Sequence, residues 1–289
     1  MRLTGRRTSS NVDDRRGSSA GKAASLGIGG TIVIGLIMLL MGGDLSSVLQ
    51  MVTSGGGLTG QTEVASDYQP TAEEEELATF ASQILAGTED VWTSIFKENG
   101  LTYQPPKLVL FTNAVKSGCG NASSSSGPFY CSADQTVYID LSFFSSMKKT
   151  IGADGDFAYA YVIAHEVGHH VQYLLGTLTE AHQQMSRLSE KEANKISVRL
   201  ELQADFYAGI WAYHDNKMFN SLEDGDIDEG LAVASKIGDD YLQKKAQGYE
   251  VPESFNHGRS AQRKAWLKKG LTTGDPSKGD TFSPAYEDL

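Results

Sequence analysis

His165 and His169 stand four residues apart in the run His165-Glu-Val-Gly-His169, and this spacing constrains the chain more than any other feature. On a helix, residues i and i+4 lie one turn apart on one face, about the separation at which two imidazoles share a tetrahedral zinc ion. Glu166 is rotated by about 100° from His165, at 3.6 residues a turn. It borders such an ion without binding it, where a carboxylate takes a proton from an attacking water and passes it to a leaving amine. A coincidental match on an ordinary helix face is the alternative. Against it, Ala164, Val167 and Val171 make the surroundings apolar, and unpartnered histidines and a glutamate are costly there. Gly168 costs roughly 1 kcal/mol of helix propensity relative to Ala, which makes sense where another backbone approaches closely.

Two histidines leave a catalytic zinc site one protein ligand short. Downstream candidates are Glu180, His182, Glu190, Glu192, Glu201, Asp205 and His257. Glu201 is the choice, because it sits between Leu200 and Leu202 in a run that reads as core. Asp205 follows one turn later, placed to hydrogen-bond the outer nitrogen of a ligating histidine. A solvated Glu201 paired with Arg199 or Lys195 is the competing reading. His170 and His214 have no partner at metal spacing and read as packing or surface residues.

The segments around the motif alternate in character. Thr71-Ala-Glu-Glu74 is a capping-box pattern, and Leu77, Phe80, Ile84, Val91 and Ile95 recur at helical spacing behind it. That predicts an amphipathic helix ending near Gly100. Residues 107–111 and 136–141 are β-branched and aromatic, as strands of a small sheet are. The motif helix runs from Asp156, a candidate N-cap, towards Gly176; a second begins at a capping box, Ser189-Glu-Lys-Glu192, and carries Glu201 and Asp205 to about Tyr213. Residues 227–247 read as one surface helix, and the Gly-, Pro- and Asp-rich tail, residues 271–289, as irregular. The expected fold class is α+β, with one folded domain over residues 71–270.

Ahead of that domain, no charged residue occurs between Lys22 and Asp44, and the interior is nearly all aliphatic. Residues 23–43 are thus long enough to cross the ~30 Å hydrocarbon of a bilayer. Arg2, Arg6, Arg7, Arg15, Arg16 and Lys22 precede the run against only Asp13 and Asp14. By the positive-inside rule, residues 1–22 form a cytoplasmic tail and the remainder is exported. A cleaved signal peptide is the rival, disfavoured by the long tail and the lack of an Ala-x-Ala site. Residues 44–70, rich in Gly and Ser, read as a linker. The predicted protein is single-pass in the cytoplasmic membrane, bound to the lipid bilayer through residues 23–43, with its folded domain outside.

Of the 25 Lys plus Arg and 36 Asp plus Glu in the chain, 19 and 34 lie beyond the tail. So acidic an exported part excludes nucleic acid as a partner class. Its two cysteines, Cys119 and Cys131, flank a Gly/Ser-rich loop. An even count in an exported domain reads as one disulfide, restraining the unfolded chain by about 3 kcal/mol. A pair of reduced, buried thiols is the alternative; the spacing is too wide for a zinc knuckle.

HExxH on one helix and Glu201-Leu-Gln-Ala-Asp205 on the next resembles the gluzincin arrangement. More closely, these elements together with Gly118-Cys-Gly120, Gly127-Pro-Phe-Tyr-Cys131, Val137-Tyr-Ile-Asp140 and Phe255-Asn-His-Gly258 resemble the bacterial family labelled putative neutral zinc metallopeptidases. The resemblance implies a zincin-like fold, a short sheet packed on the motif helix, one Zn2+ per chain and a peptide or protein substrate. It also implies that residues 136–141 are the edge strand for an extended peptide, with an ordinary core strand as the alternative. His257-Gly-Arg-Ser-Ala-Gln-Arg263 resembles an element that follows the third ligand in some membrane-associated gluzincins. His257 would then steady an oxyanion, and Arg263 would orient nearby carboxylates. The expected activity is zinc-dependent peptide hydrolysis. An inactive zincin-like binding or quality-control module and a metal-dependent cell-wall amidase are the other readings.

Overall fold

The computed structural model describes residues 1–18 and 68–289. Helix α1 (Ala72–Glu98) starts where the capping box places it: the Thr71 hydroxyl accepts from the Glu74 amide, and the Glu74 carboxylate accepts from the Thr71 amide. Strand β2 (Lys107–Phe111) follows, then a β3–β4 hairpin (Ala114–Ser117, Gly120–Ser123), β5 (Phe129–Cys131) and β6 (Thr136–Asp140). The rest is helical: α2 (Ser142–Ile151), α3 (Asp156–Leu174), α4 (Thr177–Met185), α5 (Glu190–Phe219), α6 (Asp226–Lys236), α7 (Asp239–Gln247) and α8 (Ser260–Thr273).

Period-two alternation decides what the sheet covers. Leu108 and Leu110 on β2, with Val137 and Ile139 on β6, join the main core beneath the helices. Val109, Phe111 and Tyr138 point the other way, into a smaller cluster with Val115 and Cys131. There the Cys119–Cys131 disulfide ties the hairpin to β5. With both faces covered, and with β2 parallel on one side and β5 antiparallel on the other, every residue of β6 is buried. With β1 at Val12–Asp14, the sheet order is β1-β2-β6-β5. Residues 136–141 are therefore an interior strand; the edges are β1 on one side and β5, antiparallel to β6, on the other.

Strand β1 (Val12–Asp14) comes from the amino-terminal segment and pairs parallel with β2, Val12 opposite Leu108. The expected tail is thus part of the folded body, and its basic residues are paired there. Arg6 makes a two-pronged ion pair with the fully buried Asp215 at 2.7 and 3.2 Å, Arg7 binds Glu89 and Asp90, and Arg16 binds Asp14 and Glu75. The Met1 ammonium lies among Asp226, Glu223 and Asp156. The expected span over residues 23–43 lies outside the described residues, as does nearly all of the expected linker. Among the described residues no helix is long and apolar enough to cross a membrane.

Two further expectations are revised. The single surface helix over residues 227–247 is broken at Ile237-Gly238 into α6 and α7, and Leu231, Val233, Ala234 and Leu242 are buried. The break follows from a close approach: a Cβ on Gly238 would lie 2.2 Å from the Ser260 backbone nitrogen. The tail expected to be irregular from residue 271 first completes α8 and then forms short 3-10 turns laid against α5. Arg199 holds this strap through the carbonyl oxygens of Thr281, Phe282 and Pro284.

Candidate metal centre

Helix α3 is buried almost all round, so its polar side chains must find partners within the protein. His165 and His169 face α5 one turn apart, and Glu201 on α5 answers them. Glu201 Oε2 lies 3.2 Å from His165 Nε2, and Oε1 lies 3.4 Å from His169 Nε2. One ligand atom from each of the three residues falls within 4.8 Å of the others. Closeness of the two helices makes this possible. A Cβ on Gly168 would lie 2.9 Å from the Ala204 carbonyl oxygen, the backbone approach that an otherwise unfavourable helix glycine suggests.

Outer partners fix which ring nitrogen each histidine presents. Asp205 Oδ1 lies 2.9 Å from His165 Nδ1; a carboxylate only accepts, so Nδ1 carries a proton and Nε2, on the Glu201 side, is the nitrogen left for a metal to take. Asp205, fully buried, also receives Arg263 through two nitrogens at 2.8 and 2.9 Å and the Tyr161 hydroxyl at 2.5 Å. Burial opposes ionisation of Asp205, but Arg263 and His165 outweigh it and hold the carboxyl below its usual range. Burial likewise opposes charge on His165, yet the Asp205 and Glu201 carboxylates push it up to about 10. Glu201 is burdened by burial and still lies well below the ordinary carboxylate range, because both imidazoles face it. His169 Nδ1 donates to Gln172 Oε1 at 2.8 Å. Two imidazole nitrogens and a carboxylate, each histidine anchored by its far nitrogen, suit zinc with a fourth position to spare.

Glu166 is buried beside this group without belonging to it. Burial raises its pKa, opposed by His165 and His169 and by the nearby Tyr130 backbone on β5. The edge strand β5 and the candidate base are thus neighbours.

The profile of the family described as "Putative neutral zinc metallopeptidase" matches residues 1–282. The chain belongs to that family. The chain is 48% identical over 291 residues to "Uncharacterized protein YpfJ" of Escherichia coli (strain K12), covering 98% of this chain and 99% of that one. It is 45% identical over 193 residues to "Uncharacterized protein Rv2575" of Mycobacterium tuberculosis (strain ATCC 25618 / H37Rv), covering 63% and 64%. No solved structure matches.

Of the other ligand candidates, Glu180, His182, Glu190 and Glu192 are exposed and outside the triad. His257 is buried, with Asp239 beneath it: Asp239 accepts the His257 and Gly258 amides at 2.7 and 2.9 Å and faces the imidazole Nδ1 at 3.3 Å. Burial opposes charge on the His257 ring; Asp239 and Glu201 overcome it and raise its pKa. His170 and His214 serve packing. His170 Nε2 donates to the Gln104 carbonyl and its Nδ1 accepts the Tyr130 hydroxyl, while His214 reaches the Gly274 carbonyl. Sequence reading missed Tyr161, Gln172 and Asp239. Tyr161 stands four residues before His165, on the same helix face, a usable signal; Asp239 gives none, since its helix was read as continuous.

Proposed function

We propose that the protein is a zinc-dependent peptidase that hydrolyses peptide bonds with Glu166 as general base. The convergence of His165 Nε2, His169 Nε2 and Glu201 within 4.8 Å carries this reading, with a buried glutamate alongside that no purely structural site needs. A bound zinc ion would supply Lewis-acid polarisation of a water and of the scissile carbonyl. The Glu166 carboxylate takes the proton of the attacking water as the C–O bond forms, then gives it to the departing nitrogen as the C–N bond breaks. Its raised pKa suits both halves of that transfer. His257, held by Asp239 and carrying positive character, faces the developing oxyanion. The open side of β5 offers an extended peptide its pairing edge next to Glu166.

The Cys119–Cys131 disulfide supports work in an oxidising compartment outside the cytoplasm. If residues 23–43 engage lipid, the packing of residues 1–18 on the domain requires the chain to return to the side it left. The test is Glu166→Gln in the full-length chain. It should keep zinc at one ion per chain while peptide hydrolysis falls by ~10²–10⁴-fold; unchanged hydrolysis would remove Glu166 as the base.

A further inference from the structure

The two histidines of the triad are anchored differently. His165 leans on a charged network, Asp205 with Arg263 and Tyr161. His169 leans on neutral amides that lead away from the site.

His169 Nδ1 is 2.8 Å from Gln172 Oε1. Gln172 Nε2 lies 2.7 Å from the Leu200 carbonyl oxygen and 3.1 Å from Gln203 Oε1. Gln203 Nε2 in turn lies 2.9 Å from the Gly279 carbonyl oxygen. Both glutamines are buried, Gln172 completely. Carbonyl oxygens only accept, so Leu200 and Gly279 dictate which way each amide points. With Gln172 Nε2 committed to Leu200, Oε1 must face His169 and can only accept its proton. The imidazole is thereby held with hydrogen on Nδ1, and Nε2, on the Glu201 side, is the nitrogen offered to a metal. Reversing either amide would set like groups against each other and break two buried hydrogen bonds.

We infer that Gln172 and Gln203 are positioning residues for His169, and that they anchor this metal ligand to the carboxy-terminal strap at Gly279. The strap is secured independently of the site. Arg199 holds three of its carbonyl oxygens, and the buried Thr281 hydroxyl donates back to the Arg199 carbonyl at 2.8 Å. Residues more than a hundred positions after His169 thus help decide which of its nitrogens is offered to metal. Sequence spacing contains no sign of this.

The inference rests on the triad binding zinc, so the experiment measures binding itself. Full-length chain is stripped of metal and titrated with zinc against a chromophoric chelator, and metal-free thermal unfolding is followed in parallel. Gln172→Met should weaken zinc about 10- to 100-fold, the usual cost of losing a ligand's outer partner. Gln203→Met, one bond further out, should weaken it less. Gln172→Glu keeps an acceptor for His169 but loses the donors to Leu200 and Gln203. It should unfold at lower temperature than the unaltered chain yet bind zinc within a few-fold of it. That separation of affinity from stability is what a merely structural pair of glutamines would not produce. Zinc affinity unchanged in both Met variants, or falling in step with unfolding temperature across all three, would overturn the inference. Failure of the unaltered chain to bind zinc would overturn the reading of the triad and the relay with it. Should Gln172→Met not fold, Gln203→Met and Gln172→Glu still decide the matter.

Discussion

At the scale of single residues, the protein buries titratable groups around α3, and His165, His169 and His170 each have partners at their ring nitrogens. His170 shows how this couples to stability. Its Nε2–H is given to the Gln104 carbonyl and its Nδ1 accepts from Tyr130, so only the neutral ring satisfies both neighbours. Burial lowers its pKa from 6.5 to about 4. The folded-state value lies below the unfolded one, so between pH 4 and 6.5 the unfolded chain binds more protons. The stabilising contribution is complete above about 6.5 and is lost as pH falls towards 4, with a total on the order of 3 kcal/mol. Urea unfolding of the metal-free protein should show this loss in that window, and His170→Gln should flatten the slope. An equal slope in the variant would assign the loss elsewhere.

Among the elements, the site depends on how closely α3 and α5 approach. Gly168 is the contact point, and an added methyl would meet the Ala204 backbone at 2.9 to 3.1 Å. Backbone cannot yield there as a flexible side chain would, so Gly168→Ala must separate the helices. The gain in helix propensity, roughly 1 kcal/mol, should be outweighed by overpacking of about 1–3 kcal/mol. Because Glu201 rides on α5 and both histidines on α3, zinc affinity should fall with stability in this variant, as chelator competition would show. A second crossing, α5 with α8, uses the same device: Gly209 and Gly270 face each other, and a Cβ on Gly270 would fall 2.2 Å from the Phe206 carbonyl oxygen. That contact lets Arg263 on α8 reach Asp205. The motif helix, the α5 start and the strands read over residues 107–111 and 136–141 were legible in sequence through local periodicity, although Gly155 rather than Asp156 caps the motif helix and the Ser189 side chain makes no cap bond. The break between α6 and α7 was not, since a contact with Ser260, far along the chain, imposes it.

For the molecule as a whole, the amino-terminal segment matters most. Five arginines ahead of an apolar run read as a topogenic signal, but in the fold Arg2, Arg6, Arg7 and Arg16 pair with carboxylates of the domain. Removing Arg6 leaves Asp215 buried and unpaired, so Arg6→Met should cost about 3–5 kcal/mol of domain stability. Denaturant unfolding would show it, and a loss below 1 kcal/mol would mean the segment is only loosely held. Sidedness is testable in intact cells with a membrane-impermeant maleimide. Cysteines placed at the exposed Thr8 and Tyr249 should be labelled together or spared together, whereas labelling of one alone would contradict the packing of residues 1–18 on the domain.

Sequence by itself determined the candidate site of this protein: the His165, Glu166, His169 pattern, Glu201 and Asp205 one turn apart, and the paired cysteines. Each rests on spacing within a helix or on residue counts, which are local quantities. Tertiary structure alone decided which strands are the edges, that Asp239 lies beneath His257, that Gln172 leads from His169 to the strap, and that residues 12–14 pair with β2. Those depend on contacts between segments tens to hundreds of residues apart, and such contacts leave no period in the chain to read.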